Sequence, residues 1–574
     1  MPLTSRGLTS KAARNVIFQA YRSSWISPTS SNSRQIHGGP NLIKTPKDPT
    51  SRHSVTSVAA SPTASEEVEK CFNKLDLSFT NTKEAFKVAP TVQRIRRFGV
   101  KSILDYSVES DISQQEAEEK AVEGFVGKDQ AAETFEGIGD NQTFEKTHKQ
   151  FSVHKEFGDR RLDVVSARTY FYAGERECDK NVDIFCQSID SVVEATGREG
   201  FAAIKLTALG RPQLLLKLSE TIVQTRNFFK ALTGSPWENF IMSKISEEDF
   251  LRKLKEFGIK VDSKQVKEWF KTVDFDDDGF VDFHDWGNLL DKNKEVASMF
   301  KVLNIRTGKV QPLIENLSKS EEQEFANMMQ RLVHVADHAA HKGVRIMIDA
   351  EQTYFQPAIS RLTVAMMRKY NKNGGQILNT YQAYLRSALT NIEIDMSLAK
   401  RENFHFGCKL VRGAYMDQER KRAQAVGYED PINPNFEATT QMYYRCLERI
   451  IQERAARGPG QVSVMVASHN EDGIRHAVKL MKENNIAPSE RVICFAQLFG
   501  MCDQVSFSLG QAGYSVYKYV PYGPVEDVLP YLSRRALENG GMLGKAQKER
   551  DLLWSEIKRR ISSGQLIYKV PQVA

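Results

Sequence analysis

His405-Phe406-Gly407-Cys408-Lys409-Leu410-Val411-Arg412-Gly413-Ala414-Tyr415 is a short apolar run that gathers charge at its end, turns at a Gly-Ala step and leads into a helical pattern. Such a run, bounded by turn residues, reads as a strand. Comparable runs lie at residues 164–171, 201–206, 344–349, 376–381, 461–467, 492–496 and 515–519. With 405–412 they make eight, and most of the intervals leave room for a helix. Strands alternating with helices pair in parallel through right-handed crossovers. The spacing predicts an α/β fold, a distorted (βα)8 TIM-type barrel, with a doubly wound open sheet as the alternative. In a barrel the active site lies at the C-terminal ends of the strands.

One interval is too long for a crossover helix, since about 140 residues lie between 206 and 344. An insertion is expected at 236–298. It contains Asp274-Phe-Asp276-Asp-Asp278-Gly279-Phe280-Val-Asp282-Phe-His-Asp285, with carboxylates at loop positions 1, 3, 5, 9 and 12, glycine at 6 and the Phe280 carbonyl at 7. That is the ligand spacing of an EF-hand calcium loop. Helical faces flank it, and an earlier amphipathic stretch, 247–257, is expected to lead into a second, loop-less hand. Position 12 is aspartate where glutamate would reach the ion better, so weak calcium binding or a preference for magnesium is expected. The alternative is an acidic solvated turn.

The 574 residues are 41% hydrophobic and 26% charged, which suits a globular protein. No apolar run is long enough to span a bilayer as a helix. Seven basic residues precede the first acidic one, Asp48, and account for the whole net charge of +7. The basic balance therefore does not point to nucleic acid. This acid-free, Ser- and Arg-bearing start predicts a mitochondrial transit peptide over 1–47. Linker and a mostly helical region follow over 48–155, and the catalytic barrel over 156–574. The seven cysteines include no C-x-x-C pair, which fits a reduced compartment.

Charged residues inside apolar strands are costly unless paired, so they mark a core network or a site. Lys205, Asp349, Glu351, Lys409 and Arg412 stand at strand ends, as do Ser468-His469-Asn470 and Gln497. Tyr531, Arg534, Arg535 and Glu538 fall on one helical face, where two arginines could hold a carboxylate, although such a face taken alone is more often a surface salt-bridge pattern. His334, His338 and His341 have metal-compatible spacing, but a solvated helix face is the expectation. Residues 550–561 pattern Leu553, Trp554, Ile557 and Ile561 against four basic residues. Packing back onto the barrel is expected for that face, with a membrane surface as the alternative.

Lys205-Leu-Thr-Ala-Leu-Gly-Arg-Pro, Asp349-Ala-Glu-Gln-Thr-Tyr-Phe-Gln-Pro-Ala, Leu410-Val-Arg-Gly-Ala-Tyr, Ala467-Ser-His-Asn-Glu-Asp and Tyr531-Leu-Ser-Arg-Arg-Ala-Leu-Glu-Asn together resemble the mitochondrial proline dehydrogenase (proline oxidase) family, in its eukaryotic type. The resemblance implies an FAD-binding barrel that oxidises L-proline to Δ1-pyrroline-5-carboxylate, the first step of proline catabolism, by hydride transfer to flavin N5. Electrons would pass to ubiquinone, with the enzyme peripheral on the matrix face of the inner membrane. Arg534, Arg535 and Lys205 would take the proline carboxylate. Leu410, Tyr415, Tyr519 and Tyr531 would enclose the ring, with Asp349 in support. Gln382, Lys409, Val411, Arg412, Gly413, Ala414, Ser468, His469, Asn470, Gln497, Arg535 and Glu538 would neighbour the flavin. Bacterial relatives carry arginine where Lys409 stands, and their basic residue near the pyrophosphate has no match in 434–440. The competing readings are a hydroxyproline dehydrogenase, against which Tyr519 argues by bulk, and a non-catalytic, calcium-responsive interaction protein.

Overall fold

Eight parallel strands close into a ring: β1 (Val100–Tyr106), β2 (Phe201–Ile204), β3 (Arg345–Ile348), β4 (Ile377–Gln382), β5 (Phe406–Val411), β6 (Val462–Ala467), β7 (Ile493–Leu498) and β8 (Val516–Tyr522). Neighbours in sequence are neighbours in the barrel, and β1 closes it by pairing with both β8 and β2. The structure, a computed structural model, describes residues 84–107, 149–151, 174–236, 240–256, 263–292, 301–303, 310–312, 319–523, 528–529, 531–532, 535 and 543–565. These belong to one unit, Thr80–Ala574. The expected transit peptide, the strand expected at 164–171, and Arg534 and Glu538 lie outside the described residues.

The first strand is a correction. Residues 64–154 were expected to be mostly helical and the barrel to begin at 156, yet Val100–Tyr106 supplies β1. The run Val-Lys-Ser-Ile-Leu-Asp-Tyr is too short for its own pattern to separate strand from helix, and pairing on both edges fixes it as a strand.

Parallel barrel strands are covered on both faces, and all six residues of β4 are buried. Side chains alternate between two layers. Ile103, Phe201, Ala203, Met347, Leu378, Met465, Cys494, Ala496 and Tyr517 fill the lumen. At its floor Tyr517 meets Phe201 edge to face, and Arg345 lies over the Phe201 ring while donating to the Tyr517 hydroxyl at 2.9 Å. The lower lumen is thus packed, and space for chemistry is left at the other end.

The outer layer comprises α1 (Glu84–Arg96), α2 (Glu175–Thr196), α3 (Pro212–Thr233), α4 (Lys319–Lys342), α5 (Gln356–Tyr370), α6 (Ala388–Arg401), α7 (Met416–Val426), α8 (Phe436–Arg457), α9 (Glu471–Glu483) and α10 (Asp503–Gln511). The starts of α8 and α9 are set by asparagine caps: Asn435 accepts from the Ala438 amide and Asn470 from the Gly473 amide.

Between α3 and α4 the insertion folds into helices Glu247–Glu256, Ser263–Val273 and Phe283–Lys292, with an antiparallel ribbon pairing Lys244–Ser246 with Phe280–Asp282. The helix at 247 directly follows the ribbon strand Lys244–Ser246. Phe250, Phe270, Val281 and Trp286 bury against Phe228 and Phe229 of α3 and Ile394 of α6.

The last described helix, α11 (Leu543–Ser562), departs from expectation. Its apolar face does not pack back: Leu552, Leu553, Trp554, Ile557 and Ile561 are 44–63% exposed. Among the described residues no helix is long and apolar enough to cross a membrane.

Candidate active site

Alternation along the strands carries charge into the upper lumen. Ile103, Ala203, Met347 and Tyr517 point inward, so the residues two further on, Asp105, Lys205, Asp349 and Tyr519, point inward at the mouth. There they meet. Lys205 Nζ donates to Asp105 Oδ1 at 2.7 Å and lies 3.4 Å from Asp349 Oδ2. Lys409 Nζ donates to Asp349 Oδ1, and the Tyr519 hydroxyl donates to Asp349 Oδ2 at 2.9 Å. The Ser107 hydroxyl donates to the second oxygen of Asp105. The Lys409 ammonium also faces the Tyr519 ring, 5.6 Å from its centroid.

The network is buried, with side-chain exposures of 1% for Asp105, 8–9% for the two lysines and 14% for Asp349. Burial alone would raise the Asp349 carboxyl, but the Lys409 and Lys205 ammonium groups outweigh it and hold the group down at about 2. Burial pushes the Tyr519 hydroxyl far above its ordinary range, with Asp105 and Asp349 adding to the effect. Tyr531 returns to this mouth: its hydroxyl is raised chiefly by burial and feels Asp105, Lys205 and Asp349. Arg535 sits over the Tyr531 ring, 5.2 Å from its centroid.

A second polar group flanks the first. Glu351 Oε1 accepts from Thr207 at 3.1 Å and Oε2 from the Tyr415 hydroxyl at 3.1 Å, while its carbonyl accepts from Gln382 Nε2 at 2.8 Å. At the rim, Arg412 stacks on Phe436 at 4.3 Å and donates to the Thr440 hydroxyl at 3.0 Å. Gly413 has φ 135°, and a Cβ there would stand 2.4 Å from the Tyr384 ring, so only glycine fits the turn. Ala414 and Tyr415 then lead into α7, whose first amides carry no side-chain cap. The Leu498 amide donates to His469 Nε2 at 2.9 Å, so a neutral His469 keeps its proton on Nδ1.

The expected residues therefore separate. Lys205, Asp349, Lys409, Tyr415, Tyr519, Tyr531 and Arg535 converge on the mouth, and Gln382, Val411, Arg412, Gly413, Ala414, Ser468, His469 and Asn470 border it. Leu410 does not line the mouth: Lys409 points inward, so its neighbour turns to the helix layer, where it is fully buried. Gln497 is likewise turned outward, accepting from Ser506 on α10 at 2.9 Å and donating to the Ser468 carbonyl at 3.3 Å. Asp105 was missed. Its signal was the same as that of Lys205, a charge in an apolar strand, and reading the stretch as helix concealed it. Of His334, His338 and His341 on α4, His338 meets Asp190 at 3.1 Å.

A family model described as proline dehydrogenase matches residues 88–548. The chain is 55% identical over 562 residues to the mitochondrial proline dehydrogenase 1 of Caenorhabditis elegans, covering 87% of this chain and 91% of that one. It is 45% identical over 512 residues to the human mitochondrial proline dehydrogenase 1, covering 87% and 83%. Likeness to human hydroxyproline dehydrogenase, 46% over 251 residues, covers 43% of this chain and 54% of that one.

Proposed function

The chain belongs to the proline dehydrogenase family, and from that premise we propose that it oxidises L-proline to Δ1-pyrroline-5-carboxylate with FAD, delivering electrons to ubiquinone at the matrix face of the mitochondrial inner membrane. The observation that carries the reading is the buried network of Asp105, Lys205, Asp349, Lys409 and Tyr519. An ammonium has three donors. Those of Lys205 are held at the mouth by Asp105 at 2.7 Å and Asp349 at 3.4 Å, where the ammonium would meet an entering carboxylate. Arg535, stacked beside it on Tyr531, offers a second cationic partner, and Arg534 a third from outside the described residues.

With the carboxylate held there, the aromatic rings of Tyr519, Tyr531 and Tyr415 form walls for a five-membered ring. Holding the reacting C–H bond in one direction is where such a site gains rate. Asp349, tied down by three donors and titrating at about 2, is too weak a base to take the amine proton. That proton leaves to water before oxidation.

The residues present fit FAD. Arg412 with exposed Phe436, the Gly413 turn and the uncapped start of α7 form an anion-cradling and stacking rim. Lys409 and Arg535 supply positive charge at the mouth. FAD, when bound, provides the hydride acceptor, and its isoalloxazine edge would be held by these two cations and by Gln382.

Relatives named mitochondrial support the location. The exposed apolar face of α11 beside Arg550, Lys558, Arg559 and Arg560 supports peripheral membrane contact, where a quinone is reached. The hydroxyproline alternative is disfavoured because Tyr519 fills the lumen directly above Tyr517. The non-catalytic alternative is disfavoured by the assembled charges. The deciding experiment is an anaerobic visible spectrum of the purified protein. A yellow flavin band bleached by L-proline and hardly by trans-4-hydroxy-L-proline is expected. Absence of flavin after reconstitution would sink the reading, and equal bleaching by both substrates would favour the hydroxyproline enzyme.

A further inference from the structure

Helix α6 ends at Arg401, and this side chain enters the acidic loop of the insertion. Its Nη1 donates to both oxygens of Asp282, each at 2.8 Å, and its Nη2 donates to Asp276 Oδ2 at 2.8 Å and Asp285 Oδ1 at 2.7 Å. Lys244, on the ribbon strand beside the loop, donates to Asp278 Oδ2. The loop backbone takes up further carboxylate oxygens. The amides of Asp278 and Gly279 donate to the two oxygens of Asp274 at 3.1 and 2.9 Å, and the Phe280 amide donates to Asp278 Oδ1 at 2.9 Å. Asp282 and Asp285 cap each other reciprocally, the Asp285 amide donating to Asp282 Oδ1 and the Asp282 amide to Asp285 Oδ2, both at 3.0 Å.

Calcium in such a loop needs about six to eight oxygens at roughly 2.3–2.6 Å, the last carboxylate being bidentate. Here both oxygens of the last carboxylate, Asp285, are already engaged, one by a backbone amide and one by the guanidinium. Asp274, Asp276 and Asp278 do lie with ligand atoms within 4.8 Å of one another. An ion starting from those three could complete its shell only by expelling Arg401 from three carboxylates and opening the reciprocal cap. A planar guanidinium with five fixed donors suits this set of carboxylates.

We propose that the loop is a guanidinium site rather than a divalent-cation site: Arg401 supplies within the chain the charge and donors that an ion would bring, and fastens the insertion to the barrel without metal. The fastening reaches toward the active mouth. Asp395 of α6 accepts from the Tyr381 hydroxyl at 2.6 Å, and Tyr381 precedes Gln382 at the end of β4. The helix that receives the clamp is therefore also tied to a strand of the site.

The test is calcium calorimetry and terbium luminescence on the full-length wild-type protein and on Arg401→Gln, with melting curves for both. The wild type is expected to show no saturable binding below about 1 mM, the weak end of known calcium loops. R401Q is expected to gain binding and to melt higher with calcium, while the wild type does not respond. Saturable wild-type binding below that limit overturns the proposal. Should neither protein bind, melting of R401Q, D282N and the double variant decides. Losses in Tm that combine to less than their sum confirm the clamp, and strictly additive losses overturn it.

Discussion

Asp105 shows how much one side chain can organise at a barrel mouth. It is almost fully buried, its partner Lys205 lies 100 residues away, and the pair holds the lysine at the barrel mouth. Asp105→Asn keeps the shape and removes a charge-assisted bond of about 1.5–3 kcal/mol, so kcat/KM for L-proline should fall roughly 10- to 100-fold, with KM moving more than kcat. A value within twofold of wild type, measured with soluble acceptor, would remove Asp105 from this positioning role. Asp349 makes a pH statement. Its carboxyl is held at about 2, below the ordinary 3.8, so its contribution is present above pH 4 and lost as the pH falls toward 2. That contribution is about 2 kcal/mol. The stability gap between wild type and Asp349→Asn, followed by denaturant unfolding, should close across this window; a gap unchanged from pH 5 to pH 2 would contradict the pairing. At this scale the sequence made the lumen charges legible as charges in apolar strands, but the signal does not discriminate. Lys518 is as buried as Lys205, yet it turns outward to Asp503 at 2.7 Å and the Met501 carbonyl at 2.6 Å. Which charge faces the lumen is set by strand parity and register.

At the scale of elements, the joints between strands and helices carry the site. The β5–α7 turn needs Gly413, because φ 135° is denied to other residues and a Cβ would meet the Tyr384 ring. Gly413→Ala should lower Tm by several degrees and reduce the flavin recovered per chain, since a positive φ costs about 1–2 kcal/mol before the ring is displaced. Unchanged flavin occupancy would mean that the turn does not shape the cofactor rim. Seven of the eight barrel strands were legible to within a few residues, because each is an apolar run bounded by turns. The first was not: a short run beside helical patterns is ambiguous until a partner strand is known, and its partners are β8, more than 400 residues on, and β2. Leu410, expected beside the substrate ring, packs in the outer layer for a local reason, since neighbours on one strand cannot both face the lumen.

At the scale of the whole molecule, α11 leaves an apolar stripe exposed beside basic residues. Burying Trp554 and Ile557 in a bilayer interface is worth about 1.5–3 kcal/mol each. Trp554→Glu with Ile557→Glu should therefore cut co-sedimentation with anionic phospholipid vesicles at least tenfold, leaving Tm and turnover with soluble acceptor unchanged. Equal sedimentation of variant and wild type would assign membrane contact elsewhere. What the sequence by itself determined is whatever short-range pattern encodes: alternating strands and helices, an insertion recognised by an overlong interval, and motifs in family order. The tertiary structure alone decided the pairing of Asp105 with Lys205, the outward turn of Leu410 and Gln497, the exposure of α11 and the entry of Arg401 into the acidic loop. Each of these depends on which distant groups closure of the barrel brings within a few ångströms, and no local spacing records that distance.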